Sequence, residues 1–254
     1  MVWCRAILAP RTTGSPVDAA EAPRQPAVMR LTYLGHSCFL VETAGARLVL
    51  DPFLTGNPNA ALSAADVKCD YVVVSHGHSD HNCDAATLAE TNGATIIANH
   101  EIAEFYAARG FKTHGMSPGG GHDFPFGRVA LTIAFHTSSF DAESPTLYAG
   151  CACGIVIEAD GRRLYHAGDT ALFSDMQLIG RRGLDAALLP IGDNYTMGPT
   201  DALESLDLLK PKVAVPMHYG TWPLIAQDPV AFADTAGRAG HVVKPLRPGE
   251  SLAL

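Results

Sequence analysis

The sequence predicts a mixed α/β (α+β) fold in which two β-sheets carry helices on their outer faces. Three observations lead there. Short β-rich runs follow one another before any helical period appears, which a simple βαβ alternation does not produce. The texture of the first half returns in the second half. The run "YVVVS" at residues 71–75 is continuously apolar, as expected of a strand covered on both faces.

Each element has a local reason. Regular structure opens abruptly at Met29 with "MRLTYLGHSCFLVE". "CFLVE" and "RLVLD" flank the "TAGA" turn as a hairpin, and a loop with Pro52, Gly56 and Pro58 follows. After "YVVVS", "DAATLAETNG" reads as a helix ending near Gly93, "ATIIA" as a strand, and "HEIAEFYAARG" as a helix closed by Gly110. In the second half "RVALTIAFH" is a strand, "GIVIEADGRRLYHAG" a hairpin turning at Asp160-Gly161, and "DAALLPIG" a further strand. The helix "TDALESLDLL", opened by Thr200, stops at Lys210-Pro211 because proline cannot continue it, and "KVAVPMH" is the strand after it. Residues 1–28, rich in Ala, Pro, Arg and Thr without periodicity, read as a disordered extension or a segment upstream of a natural start. Residues 29–254 read as one domain.

The 254 residues are 47% hydrophobic and 17% charged, enough to bury a full core. No stretch approaches the roughly 18 uninterrupted apolar residues of a membrane span, so a cytoplasmic protein is expected. The net charge of −8 disfavours nonspecific binding to nucleic acid or anionic membranes, and points to a small-molecule substrate; homo-oligomer formation is left open. Cys4, Cys38, Cys69, Cys83, Cys151 and Cys153 form no CxxC pair and read as reduced thiols.

The chemistry collects at strand ends. "VVVSHGHSDH" carries His76, His78, Asp80 and His81, "LTIAFH" ends in His136, "RLYHAGD" in Asp169, and "VAVPMH" in His218. Side chains at equivalent ends of sheet strands can converge on one rim. In an extended turn His76 and His78 project to the same side, so both imidazoles can meet one ion at about 2.0–2.1 Å. Asp80 and His81 lie where the next helix begins and can turn to a second ion. H-x-H-x-D-H is expected by chance roughly 10⁻³ times in a chain of this composition, so a set of merely solvated histidines is a poor account of it. His100, His114, His122 and His241 lack that context, and His166 reads as a packing residue.

These residues resemble the metallo-β-lactamase superfamily, whose signature is an H-x-H-x-D-H loop followed by a distant His, a Gly-Asp and a final His. "GHSCFLVE", "DPFLTGNP", "HGHSDH", "YHAGDTALFSDM", "LLPIGDNYTMGP" and "PMHYGTWP" look like its small metal-dependent hydrolases, relatives of the ascorbate 6-phosphate lactonase branch. The resemblance spans Met29 to Leu254 and implies a four-layer αββα sandwich with the site at one edge between the sheets. It also implies two divalent metal ions, one on His76, His78 and His136, the other on Asp80, His81 and His218, with Asp169 bridging. The chain departs from the pattern at "FHTSSF", where Ala-x-His-Ser-Ser is more usual, and at Asn82-Cys83, where Leu-Gly is more usual.

Hydrolysis by water or hydroxide held between two cations roughly 3.5–4 Å apart is the expected reaction, on an ester, lactone or phosphoester. Zinc is the default metal, while manganese, iron and nickel use similar ligands. His36 is the candidate proton donor or substrate contact, with a structural hydrogen bond as the competing role. Asp51 is expected to orient a ligand histidine through its other ring nitrogen, and "GDNYTMGP", with Asp193, Asn194 and Tyr195, to shape the pocket. Two rival functions are an iron-dependent oxidoreductase on the same scaffold and a non-catalytic metal-binding regulator.

Overall fold

The computed structural model describes residues 28–254, so the extension read over residues 1–28 falls, but for Val28, outside the described residues. The first sheet is built from β1 (Arg30–Gly35), β2 (Cys38–Glu42), β3 (Arg47–Leu50), β4 (Tyr71–Val73), β5 (Thr95–Asn99) and β6 (Thr113–Met116). β1 to β3 are antiparallel and β3 to β6 parallel. The second contains β7 (Gly121–Phe124), β8 (Gly127–Ile133), β11 (Cys153–Ala159), β12 (Arg162–His166), β13 (Leu184–Pro190) and β14 (Pro211–Met217), in the order β14-β13-β12-β11-β8-β7. A two-stranded ribbon, β9 (Ser139–Phe140) with β10 (Leu147–Tyr148), stands apart, and β15 (Ser251–Ala253) closes the first sheet against β1.

Parallel neighbours need a crossover, and helices supply most of them. α1 (Ser79–Asn82) and α2 (Ala85–Asn92) lie between β4 and β5, and α3 (His100–Ala107) between β5 and β6. In the second sheet α4 (Met176–Gly180) links β12 to β13, α5 (Pro199–Leu209) links β13 to β14, and α6 (Pro229–Arg238) follows. α2 ends at Gly93 in the left-handed region, as its sequence predicts. α5 starts earlier than expected, with Pro199 as its first residue and Gly198, two positions before Thr200, as the cap residue.

Three apolar layers follow from strand alternation. Leu48, Leu50, Val73, Leu131, Ile155, Leu164 and Leu188 fill the space between the sheets. Val49, Val72 and Val74 face the other way, onto Leu88 and Ile102 of the first helical layer. Tyr165, Ala187 and Leu189 pack against Leu206 and Phe232 of the second. This is an αββα sandwich, and it accounts for the unbroken apolar run at "YVVV": both faces of β4 are covered.

Strand direction then decides where the polar residues meet. β1, β3 and β4 run the same way, so His36, Asp51 and His76 follow their C-terminal ends on one edge. β8, β12 and β14 share a direction too, and their ends lead to His136, Asp169 and His218. The two edges are stitched together: the His218 amide donates to His36 O at 2.8 Å and the Cys153 amide to Ser75 O at 3.0 Å. Between His76 and His78, Gly77 lies against the ribbon, where a methyl group would run into Ala149 and the Ser139 backbone at 3.0 Å. Gly77→Ala therefore overpacks this contact, and we expect a loss of about 1–3 kcal/mol in chemical denaturation; an unchanged midpoint would show that the ribbon yields freely.

Candidate metal centre

The loop after β4 delivers its ligands in a fixed posture. Asp51, fully buried, accepts hydrogen bonds from the Ser75 amide at 2.7 Å and from the Ser75 hydroxyl at 2.6 Å. It also accepts from His81 Nδ1 at 2.8 Å, which leaves His81 Nε2 turned away from it. Ser75 Oγ lies 3.0 Å from His76 Nδ1; with its own proton given to Asp51, it accepts the ring proton and leaves His76 Nε2, 3.0 Å from His78 Nδ1, without a proton of its own. One carboxylate thus sets the tautomer of two imidazoles.

The free nitrogens gather in two groups. Ligand atoms of His76, His78 and His136 lie within 4.8 Å of one another, and so do those of His36, Asp80, His81 and His218. Asp169 sits between them: its carboxylate is 3.0 Å from His218 Nε2, 3.3 Å from His81 Nε2 and 3.7 Å from His136 Nε2. His81 Nε2, Asp169 Oδ1 and His218 Nε2 are buried and lack a hydrogen-bond partner despite this closeness, because their mutual geometry is wrong for a hydrogen bond. Buried polar atoms are rarely left so. An imidazole nitrogen and a carboxylate oxygen aimed at the same space are what a divalent cation would satisfy.

His36, 0% exposed, donates from Nε2 to Asp80 Oδ2 at 3.1 Å and accepts at Nδ1 from the Thr221 hydroxyl at 2.7 Å. Burial pushes its pKa down to about 4, so it is neutral near pH 7. His166 is buried too, with Nε2 bonded to Ser37 O at 2.9 Å. Three of these residues hold left-handed backbone, His36 at φ 58°, Asp51 at 43° and His218 at 55°. Non-glycine residues there cost of order 1–3 kcal/mol each and cluster at functional sites. Sequence reading passed over Ser75, which directly precedes His76, and Thr221, three residues after His218. It also passed over Phe53 and Trp222, which line the cavity with Tyr195. Asp193 and Asn194 of the same loop do not line it. His100, His114, His122 and His241 stand outside both groups.

Residues 30–218 match the Beta-lactamase superfamily domain. A protein of Opitutus terrae, a UPF0173 metal-dependent hydrolase, is 52% identical over 225 residues, 88% of this chain and 99% of its own. The chain belongs to the UPF0173 metal-dependent hydrolase family. A relative of that family in Pelotomaculum thermopropionicum is 51% identical over 229 residues, 89% of this chain and 100% of its own. Igni18, a novel metallo hydrolase from the hyperthermophilic archaeon Ignicoccus hospitalis, superposes with a TM-score of 0.82 at 39% identity, over 89% of this chain and 98% of its own. Among the described residues no helix is long and apolar enough to cross a membrane.

The electrostatics of this hydrolase's centre call for positive charge. Burial works against the charged form of His81, yet Asp169, Asp80 and Asp51 outweigh it and hold its pKa well above the usual value. For His218 burial is again the largest single influence and favours the neutral ring, but Asp169 and Asp80 together outweigh it and give a pKa of about 9. His76 and His136 are instead lowered, chiefly by burial. Asp169 is buried, but His218 and His81 keep its carboxyl well below the ordinary range. Because folded metal-free protein holds the His218 proton more tightly than the unfolded chain, that stabilisation is complete below about pH 6.5 and is lost as pH rises through about 9. The melting temperature of chelator-treated protein should accordingly fall between about pH 7 and 9, while zinc-loaded protein changes little; a rise in the chelated sample contradicts the charge assignment. Replacing Asp51 by Asn removes an acceptor from His81 and should weaken metal binding about 10–100-fold in competition with a fluorescent chelator, with equal affinity as the contrary result.

Proposed function

We propose that this metal-dependent hydrolase cleaves a small ester, lactone or phosphoester with two divalent cations. One would be held by His76, His78 and His136 and the other by Asp80, His81 and His218, with Asp169 shared. The observation that carries the reading is Asp169: a carboxylate 3% exposed, within 3.7 Å of one histidine of the first group and within 3.3 Å of two of the second, with Oδ1 unpartnered. Zinc is the expected metal, because it takes tetrahedral sets of imidazole and carboxylate ligands and such sets dominate here. Cations of this kind lower the pKa of coordinated water to about 7 and polarise the substrate's reacting oxygen.

The rest falls to the chain. Ser75 and Asp51 fix His76 and His81 so that each offers Nε2. His36, engaged at both ring nitrogens and closed to solvent, holds Asp80 in place rather than meeting substrate. Asp80 keeps its charge through His81, His218 and His36, which outweigh its partial burial and hold its pKa far below the ordinary range. A small-molecule substrate in the cytoplasm suits the acidic chain and the free thiols of Cys38, Cys69, Cys83, Cys151 and Cys153.

Elemental analysis of protein purified without chelators or an affinity histidine tag tests this, together with lactone, ester and phosphodiester panels. Near two equivalents of metal per chain are expected, with chelator-sensitive turnover. His78→Ala should lose at least one of them and all hydrolysis; an unchanged metal count and rate would refute the ligand assignment.

A further inference from the structure

His78, Asp80, His136, Asp169 and His218 line a cavity of about 680 Å³, the size of a small-ligand pocket. Its walls are of two kinds. One is aromatic: the rings of Phe53 and Trp222 lie nearly parallel, with centroids 6.0 Å apart and 26° between planes. Phe53 is buried while Trp222 is 39% exposed, and Tyr195, 55% exposed, lines the same space. The other is acidic: Asp141 also lines the cavity, with Oδ1 accepting from the Ser79 amide at 2.9 Å. That amide, the first of α1, is thereby unavailable to an anionic ligand.

No lysine or arginine is among the described residues that line the cavity. Arg109 lines a neighbouring hollow that shares Asp141, but its guanidinium lies 3.4 Å from the centroid of Phe105 and pairs with Glu143 at 3.7 Å. Sites for remote phosphates and carboxylates are built from guanidinium forks, ammonium groups or free backbone amides. Here the described lining side chains include no guanidinium or ammonium group, the first amide of α1 is taken, and a second anionic group would meet Asp141.

We infer that the part of the substrate remote from the scissile bond is a flat, apolar group without negative charge, laid against Phe53 and Trp222. The inference takes the reacting end from the hydrolase reading above and adds the chemistry of the other end. Among esters, lactones and phosphoesters it selects those with a neutral aryl or similarly planar group, and it excludes substrates that carry a further phosphate or carboxylate. Aromatic side chains favour such a group by offset stacking and by apolar burial.

Three hydroxamic acids with one metal-binding head and different tails separate the two readings. Acetohydroxamate, benzohydroxamate and 4-carboxybenzohydroxamate are titrated calorimetrically into the zinc-loaded full chain. Benzohydroxamate should bind about tenfold more tightly than each of the others. Trp222→Ala should collapse its advantage over acetohydroxamate, and Asp141→Asn should narrow its advantage over the carboxylated probe. Equal affinity for the three, preference for the carboxylated tail, or no binding of any would overturn the inference. These affinities do not depend on turnover. Tail selectivity in a protein that hydrolyses none of the panel would uphold the pocket and sink the ester, lactone and phosphoester reading, whereas hydrolysis without tail selectivity would do the reverse.

Discussion

Carboxylates buried among imidazoles at one sheet edge set the terms for the rest of this structure. Asp51 and Asp169 are almost closed to solvent, and His36, His76, His81 and His218 with them. Removing such charges from water costs several kcal/mol per ion unless partners compensate. In the metal-free protein His81 and His218 compensate by holding protons, and His218, with a pKa of about 9, is the clearest sign. A group of donors that must borrow protons to balance its own carboxylates is arranged for a cation. The three apolar layers supply the stability that lets this edge, including the left-handed backbone at His36, Asp51 and His218, persist.

Topology explains why residues so far apart in sequence meet. Each sheet is antiparallel on one side and parallel on the other, so β1, β3 and β4 share one direction in the first and β8, β12 and β14 share one in the second. C-terminal ends of β1, β3 and β4 face those of β8, β12 and β14, and every residue of the two donor groups, with Asp169, lies within a few positions of one of them or in the turn of α1. Ligands in open α/β sheets gather at carboxyl ends of strands for the same reason. The backbone bonds from His218 to His36 and from Cys153 to Ser75 fix the distance between the two sheets at that point.

Much of this was legible in the sequence, because its strongest signals were local. The H-x-H-x-D-H spacing, the apolar run before it, the Asp160-Gly161 turn and the proline after α5 each have one dominant physical reading. The helix bounds were displaced where cap chemistry was weak: Gly198, with no side chain to cap, starts α5 as well as Thr200 would. β6, β7 and the β9–β10 ribbon were not read, since short runs such as "THGM" and "GHDF" carry little alternation and depend on neighbouring strands. Ser75 and Thr221 were invisible for a related reason. A hydroxyl that orients an imidazole does so through three-dimensional proximity, and no spacing rule distinguishes it from any other serine or threonine.

The arrangement around Asp51 also binds the two donor groups into one device. Through Ser75 it governs the ring of His76, which stands with His78 and His136, and directly it governs His81, which stands with Asp80 and His218. Asp51, His76 and His81 form a close cluster of their own, but their contacts run through Nδ1, on the side of each ring opposite the nitrogen left for a cation. A disturbance at this one carboxylate therefore reaches both groups, whereas a disturbance at His36 reaches only the group containing Asp80. The hierarchy follows from valence: an ionised carboxylate has enough lone pairs to accept from an amide, a hydroxyl and an imidazole at once, and a neutral imidazole has one donor and one acceptor.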